Sequence, residues 1–192
     1  MLFKNGIIAI LGILVFSSCL WRKSTWGERD IAERKIRSEV IRNQEMRKKG
    51  LRVEWTYKTY DKRGHLLEIK ELDKDSIISK WERNTWNRQG KEVSSEILDS
   101  LGHLVKKTIT LYHKNGKEAE RLVYDSDLKL DKKTVFSYNK FGAIAEETTF
   151  DISGTITRRT TFEYDKKGMP VRRASFDGQG KLLQSRTIQY DY

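Results

Sequence analysis

The sequence has little cysteine, proline or apolar material. Its 192 residues include one Cys and one Pro, and hydrophobic residues make up 37% of the chain against 34% charged residues. A lone cysteine excludes an intrachain disulfide framework and any multi-cysteine zinc or iron–sulfur site. Because the apolar fraction is below and the charged fraction above those of typical globular domains, we expect neither a thick core nor a large enzyme-like interior.

Motifs for catalysis and metal binding are also missing. The sequence contains no P-loop, no Gly-x-Gly-x-x-Gly, no Gly-x-Ser-x-Gly and no His-Glu-x-x-His. The histidines, His65, His103 and His113, lie in or beside predicted turns and lack metal-ligand spacing. We therefore predict neither an enzyme nor a bound cofactor or metal.

The amino terminus has the order of a secretory signal peptide. Lys4 precedes an apolar run at residues 6–16, and the small residues Ser17 and Ser18 follow it before Cys19. The run is about half of the roughly 20 residues that a helix needs to span a bilayer. An exported protein is therefore favoured over a membrane-spanning one.

The end of this segment, Phe16-Ser17-Ser18-Cys19, resembles the lipobox of bacterial lipoproteins, although that motif usually begins with Leu. The resemblance implies that signal peptidase II removes residues 1–18. Cys19 would then begin the mature chain and carry diacylglycerol, which makes membrane lipid a partner. The residue after the cysteine is Leu20 and not an Asp, which would resemble an inner-membrane retention signal. The outer membrane is therefore favoured if the organism has one. The alternative is an ordinary signal peptide whose cysteine is incidental.

Residues 19–54 are predicted to form a basic helical stalk. Thr25-x-x-Glu28 fits a capping box, and residues 28–49 lack Pro and internal Gly, which predicts a helix of about six turns. Residues 20–54 hold 11 basic and 6 acidic side chains. Such a segment suits contact with anionic headgroups beside the anchor. A solvated helix with intrahelical ion pairs is the alternative.

From residue 55 onward the chain repeats with a period of 26 residues. Each repeat has an aromatic residue followed four positions later by a glycine. The pairs are Tyr60 and Gly64, Trp86 and Gly90, Tyr112 and Gly116, Tyr138 and Gly142, and Tyr164 and Gly168. A second turn begins with Asp 13 residues after the aromatic, and Ser76 and Leu128 replace its glycine in two repeats. We expect those two turns to be looser or of another type.

These repeats predict a mainly β fold. Asp or Asn at the first turn position and Gly at the fourth are typical of hairpin turns, and the intervening segments have strand composition. Ten such turns connect 11 strands in a repetitive antiparallel meander, curled or solenoid-like, whose five repeats cover residues 55–192. The aromatic and glycine positions are interpreted as structural turn positions.

Charges follow the repeat as well. Acidic and basic strands alternate, which predicts cross-strand ion pairs rather than a ligand site. The fifth repeat has Arg172 and Arg173 beside Pro170 where other repeats have Glu. We expect these arginines to lack partners, which makes them a candidate polyanion contact, with protection of the sheet edge as the alternative.

The high charge raises the question of nucleic-acid binding. The formal net charge is +11 and the sequence pI is about 9.6. The aromatic residues nevertheless recur at turn positions instead of forming one stacking platform, and the signal peptide indicates export. A nucleic-acid partner is therefore not predicted.

The pattern Tyr-Asp-x-x-Gly resembles the tyrosine–aspartate repeats of the RHS type and, more loosely, the MORN-like repeat proteins of bacteria. The first hypothesis for function is a non-catalytic binding or structural module of the cell envelope. Its partner would be an envelope protein, peptidoglycan or a glycan. Some short MORN-like relatives look like antitoxins, which implies the alternative of an immunity or antitoxin-like protein that binds and blocks a toxin at the membrane.

Overall fold

The computed structural model describes residues 27–47 and 50–191, so the predicted signal peptide and Cys19 lie outside the described residues. The elements are α1 (Glu28–Glu33), β1 (Ser38–Arg47), β2 (Gly50–Tyr60), β3 (Leu66–Leu72), β4 (Ile78–Trp86), β5 (Glu92–Leu98), β6 (Leu104–Tyr112), β7 (Glu118–Tyr124), β8 (Leu130–Tyr138), β9 (Ile144–Asp151), β10 (Ile156–Tyr164), β11 (Pro170–Asp177) and β12 (Leu182–Thr187). In this part of the chain, no helix has the length and apolarity needed to cross a membrane.

The strands form one antiparallel sheet whose spatial order is the chain order, from β1 to β12. The predicted mainly β meander is therefore confirmed. The eleven predicted strands correspond to β2–β12. Over the described residues, β1 and β12 remain the two outer strands and do not pair with each other, so the sheet stays open.

The predicted long helix is wrong. α1 ends at Glu33, Lys35 has a left-handed φ of 55°, and Ser38–Arg47 is a strand instead. This strand pairs with β2 from Ser38–Thr59 to Arg47–Gly50. A helix without a buried face gains little in water, whereas β1 obtains a full ladder of hydrogen bonds from β2. Residues 38–47 and 50–54 therefore belong to the sheet and not to a stalk.

All ten hairpin turns between β2 and β12 share one hydrogen-bond pattern. In the first, the Asp61 amide donates to the His65 carbonyl at 3.0 Å and the Gly64 amide donates to the Asp61 carbonyl at 3.2 Å. The Asp61 carboxylate accepts from the Arg63 and His65 amides at 2.7 and 2.9 Å. The side chain at the first position therefore satisfies the amides that the turn leaves unpaired.

Ser76 and Leu128 do not change the turn type, contrary to expectation. They adopt φ values of 62° and 61°, and their amides donate to Asp73 and Asp125 at 3.1 and 3.2 Å, as the glycines do. The strand ladders on both sides impose the left-handed conformation on these residues. The strain is about 1–2 kcal/mol at each position.

The recurring aromatic residues connect consecutive repeats. Tyr112 Oη donates a hydrogen bond to the Glu92 carbonyl at 2.7 Å, and the Trp86 indole donates to the Leu66 carbonyl at 2.9 Å. Tyr138, Tyr164 and Tyr190 make the equivalent bonds, each to the carbonyl 20 residues earlier. Tyr60 has no preceding repeat and donates to the Glu39 carboxylate of β1 at 2.8 Å. Each repeat is therefore anchored on its predecessor.

Helix α1 covers the first repeat. Ile31 is 1% exposed and packs in a small core with Tyr60 and Leu66. A Cβ atom on Gly64 would collide with the Glu28 carbonyl, so glycine is needed there both for its φ of +85° and for the close approach of the helix. The amino-terminal end of the described chain therefore lies against the first turn.

Candidate binding groove

The sheet curls so that one face becomes the inner side of a groove. A single sheet has no second layer to cover it, yet Asn84, Thr110 and Thr160 on this face are 6%, 9% and 3% exposed. The groove has a volume of about 1020 Å³ and runs from α1 across β2–β8. Its lining includes Trp86, Ser95, Thr108, Tyr112, Arg121 and Thr134.

Short polar side chains cover much of this inner face because they occupy alternate positions on neighbouring strands. Two pairs of hydroxyls lie directly opposite each other across strands. Thr134 Oγ1 and Thr149 Oγ1 are 3.1 Å apart, and Thr160 Oγ1 and Ser175 Oγ are 2.9 Å apart. The face therefore presents hydrogen-bonding groups where most sheets present an apolar surface.

Charged groups of both signs lie among the hydroxyls. Arg121 forms an ion pair with Glu118 at 2.5 Å and lies over the Phe136 ring, 5.1 Å from its centroid. Burial raises the pKa of Glu147 on β9, and the positive charges of Arg173 and Arg121 oppose that rise only in part. The groove can therefore both donate and accept hydrogen bonds, which suits an extended polar ligand better than an apolar one.

The predicted structural positions lie mainly along one end of the strands. Tyr138, Gly142, Tyr164 and Gly168 lie outside the groove lining, and so does Gly116. The remaining five, Tyr60, Gly64, Trp86, Gly90 and Tyr112, also line the groove near α1. The aromatic side chains use their polar atoms to connect repeats, which leaves their ring surfaces to shape the end of the groove.

Arg172 and Arg173 do not form a joint site. They are consecutive on β11 and therefore point to opposite faces of the sheet. Arg172 pairs with Glu163 on β10 at 3.0 Å, so the expectation that it lacks a partner is wrong. Arg173 lies over the Phe162 ring, 5.9 Å from its centroid, and acts electrostatically on Glu147. Strand β11 has arginines where the corresponding strands of other repeats have Glu, and Glu163 on the neighbouring strand β10 provides the carboxylate that pairs with Arg172.

Cross-strand ion pairs are present in other repeats. Glu71 and Lys80 are directly opposite and 3.3 Å apart, as are Glu68 and Arg83. Glu96 and Lys107 are 3.0 Å apart. Much of the basic charge on the strands is therefore matched within the sheet.

The histidines have turn contacts. His65 Nδ1 lies 2.9 Å from the Asp61 carboxylate, and its ring stacks on Trp86 with centroids 4.7 Å apart. Burial acts to raise the pKa of Asp61, but the hydrogen bonds from His65 and Arg63 outweigh it and lower that pKa. His103 makes the equivalent contact with Asp99 at 3.2 Å. Within residues 27–47 and 50–191, no three metal-ligating side chains come together.

The groove was missed in the sequence because its residues are ordinary strand residues. Thr108, Thr134 and Thr160 recur at the repeat period of 26 residues, and this is the one signal that could have marked them. The repeat period alone does not indicate which face of the sheet curls inward.

No protein-family profile matches the chain, and no curated protein does. Among solved structures, a protein of unknown function from Bacteroides fragilis is 10% identical with a TM-score of 0.36, covering 81% of this chain and 96% of that one. A porin-like protein from Bacteroides uniformis is 12% identical with a TM-score of 0.34, covering 81% and 91%. The Photorhabdus luminescens Tc holotoxin pore is 11% identical with a TM-score of 0.27, covering 79% of this chain and 11% of that one. Similarity at this level assigns neither a family nor a function to the chain.

Proposed function

We propose that this chain is a membrane-anchored, non-catalytic binding module of the bacterial cell envelope. In this proposal Cys19 carries the lipid, and the polar inner face of the sheet binds an extended polar partner. That partner is an envelope protein, peptidoglycan or another glycan. If the organism has two membranes, the outer one is the proposed location.

The observation that carries the binding role is the groove itself. It has a volume of about 1020 Å³ and is lined by hydroxyl, indole and guanidinium groups on five neighbouring strands. The Thr134 hydroxyl and the Arg121 guanidinium have hydrogen-bonding capacity beyond their partners within the sheet, so a ligand with regularly spaced polar groups could bond to such groups together. The Trp86 and Tyr112 side chains use their polar atoms within the chain and offer the ligand their ring faces. The anchor rests on the lipobox-like sequence at residues 16–19.

Site-specific photo-crosslinking in living cells tests the binding role. A benzophenone amino acid replaces Lys132, which is exposed and lines the groove, or Ser137, which is exposed on the other face of the same strand. We expect a discrete crosslinked envelope component from position 132 and none from position 137.

Equal products from both positions, or no product from position 132, would contradict groove binding. A secreted toxin captured from position 132 would instead favour the immunity alternative. Both probes lie on β8, so misfolding of the strand would affect them alike.

A further inference from the structure

The ten hairpin turns form two rows at opposite ends of the strands. The turns at residues 61–64, 87–90, 113–116, 139–142 and 165–168 form the row that we call the basic edge. The turns at residues 73–76, 99–102, 125–128, 151–154 and 177–180 form the other row, the acidic edge. Because the sheet is a meander, every second turn lies at the same end.

The two edges carry opposite charge. The basic-edge turns hold seven Lys or Arg and two Asp, a net charge of +5. The acidic-edge turns hold one Lys and seven Asp, a net charge of −6. The residues that directly follow the turns include two lysines at each edge, so they leave the charge difference between the edges unchanged.

The basic edge is a continuous surface. Neighbouring turns in a row are two strands apart, which is about 10 Å, so five turns span up to about 40 Å. The Arg63 guanidinium donates to the Arg88 carbonyl and the Lys91 ammonium donates to the Gly116 carbonyl, so consecutive turns contact each other. Charges on neighbouring turns therefore lie about one Debye length apart, so the positive potentials of adjacent turns overlap along the row.

Two of the three lysines at the acidic edge lie beside an aspartate of their own turn. Lys74 lies 3.1 Å from the Asp75 carboxylate, and Lys129 lies 3.3 Å from that of Asp127. The central two positions of the basic-edge turns contain no acidic residue at all. Strands β1 and β2 extend past the acidic edge, and residues 45–54 hold four Lys or Arg and two Glu, a net charge of +2. Arg52 pairs with Glu54 there. This positive charge is smaller than the charge of −6 on the acidic-edge turns.

The amino-terminal segment enters the fold at the basic edge. Helix α1 lies against the first basic-edge turn, where the Glu28 carbonyl approaches Gly64. Cys19 precedes Glu28 by nine residues, which span at most about 30 Å when fully extended. A lipid attached at Cys19 would therefore hold the basic edge, and not the acidic one, close to the bilayer.

We propose that the basic edge is a docking surface for an anionic lipid bilayer, with the strands standing away from it and the acidic edge directed outward. This proposal deepens the proposed membrane anchoring and rests on it. Lys and Arg near an anionic leaflet are attracted to it and Asp is repelled, so the opposite charges of the two edges favour this single orientation. The docking leaves the inner groove accessible from the side.

Energy transfer to labelled lipid headgroups tests this orientation. Gln89 and Gln179 are exposed, occupy the third position of a basic-edge and an acidic-edge turn, and can each be replaced by Cys for a donor dye. The protein purified from the cell envelope is placed on vesicles of phosphatidylcholine with 30% phosphatidylglycerol, and the wild-type chain gives the background from any Cys19 that carries no lipid. We expect at least twofold higher transfer efficiency from Gln89→Cys than from Gln179→Cys on these vesicles. On pure phosphatidylcholine we expect a smaller ratio, because only the tether at Cys19 then favours the basic edge.

Matched charge variants identify the cause. Lys114→Gln, Lys140→Gln and Lys166→Gln together remove three exposed charges from the basic edge. With this triple variant we expect the ratio of the two transfer efficiencies to exceed one by less than about half as much as it does without the charge substitutions. Lys74→Gln, Lys129→Gln and Lys181→Gln remove three exposed charges at the acidic edge and should leave the ratio unchanged. Equal transfer from the two edges in the wild-type background, or an equal response to the two triple variants, would overturn the proposal.

A separate experiment tests the lipid anchor at Cys19. Flotation with vesicles compares the protein purified from the cell envelope with its Cys19→Ser variant. Equal flotation of the two would contradict lipidation, and the comparison of the two edges could still be made. Association of copies through the basic and acidic edges would appear as a concentration-dependent mass in solution that the basic-edge variant abolishes, and this result would overturn the bilayer as the partner.

Discussion

The hydroxyl of Tyr138 donates a hydrogen bond to the main-chain carbonyl of Glu118, 2.8 Å away and 20 residues earlier in the chain. Glu118 pairs with Tyr112, the aromatic residue of the preceding repeat. The tyrosine therefore links two repeats at the turn, where the strand register shifts. Stability in such an array is expected to be a sum of repeat and neighbour contributions, so each link should matter independently.

Replacing Tyr138 by Phe removes this link and keeps the ring. We expect a loss of about 0.5–1.5 kcal/mol, which lowers the melting temperature by a few degrees. Tyr57→Phe is the matched control, because Tyr57 is 40% exposed and the described residues give its hydroxyl no hydrogen-bond partner. Equal melting curves for the Tyr138 variant and the wild type would contradict the proposed link.

Gly142→Val should destabilise the protein by about 1 kcal/mol or more. Gly142 has a φ of +83°, and the Lys117 side chain occupies the space that a Cβ atom would need. Ala143→Val, one residue further and in an ordinary conformation, is the control. If thermal unfolding of the two variants is the same, the requirement for glycine in this turn is refuted.

Leu128→Gly should have the opposite effect. Leu128 is strained at a φ of 61° and 58% exposed, so glycine relieves the strain and little burial is lost. We expect a gain of about 0.5–1 kcal/mol after the greater chain entropy of glycine is subtracted. Leu101→Gly, at a similarly exposed turn position without positive φ, should lower stability. A lower melting temperature for Leu128→Gly would contradict the strain assignment.

Glu147→Gln tests the buried carboxylate through pH. The pKa of Glu147 in the folded state is above its ordinary value of 4.5, chiefly because of burial. The folded state therefore binds its proton more tightly than the unfolded state, and stability falls as pH rises from about 4.5 through the raised pKa. The variant should be more stable than the wild type at neutral pH and equal to it in acid.

The control for that experiment is Glu146→Gln, which removes a carboxylate on the other face, 3.3 Å from Arg159. Thermal melts of both variants between pH 4 and pH 7 provide the measurement. A gain for Glu147→Gln that does not grow with pH would contradict the role of burial.

The repeat turns could be predicted from the sequence because their chemistry is local. Asp61 accepts hydrogen bonds from amides two and four residues away, and Gly64 supplies the positive φ, so both residue types are readable without tertiary context. The same local reasoning failed at Leu128, where pairing of the flanking strands overrides the preference of the residue. It failed more widely at β1, since helix propensity could not show that β2 offers an unpaired edge.

The groove and the two charged edges depend on relationships between distant residues. Thr134 and Thr149 come together only through strand register, and no local pattern indicates which way the sheet curls. The partner of Arg172 was misjudged because Glu163 lies on the preceding strand instead of the following one. The charge difference between the two edges could have been counted from the sequence. Only the position of α1 against the first basic-edge turn shows at which edge the amino-terminal segment enters the fold.

Mass spectrometry of the mature amino terminus tests the central claim of membrane anchoring most directly. The protein is purified from its own envelope, digested, and its first peptide identified. The account predicts a peptide that begins at Cys19 and carries diacylglycerol on the sulfur, and Cys19→Ser should abolish both the cleavage and the lipid. A mature chain that begins at any other residue, or an unmodified Cys19 at its start, would contradict the account.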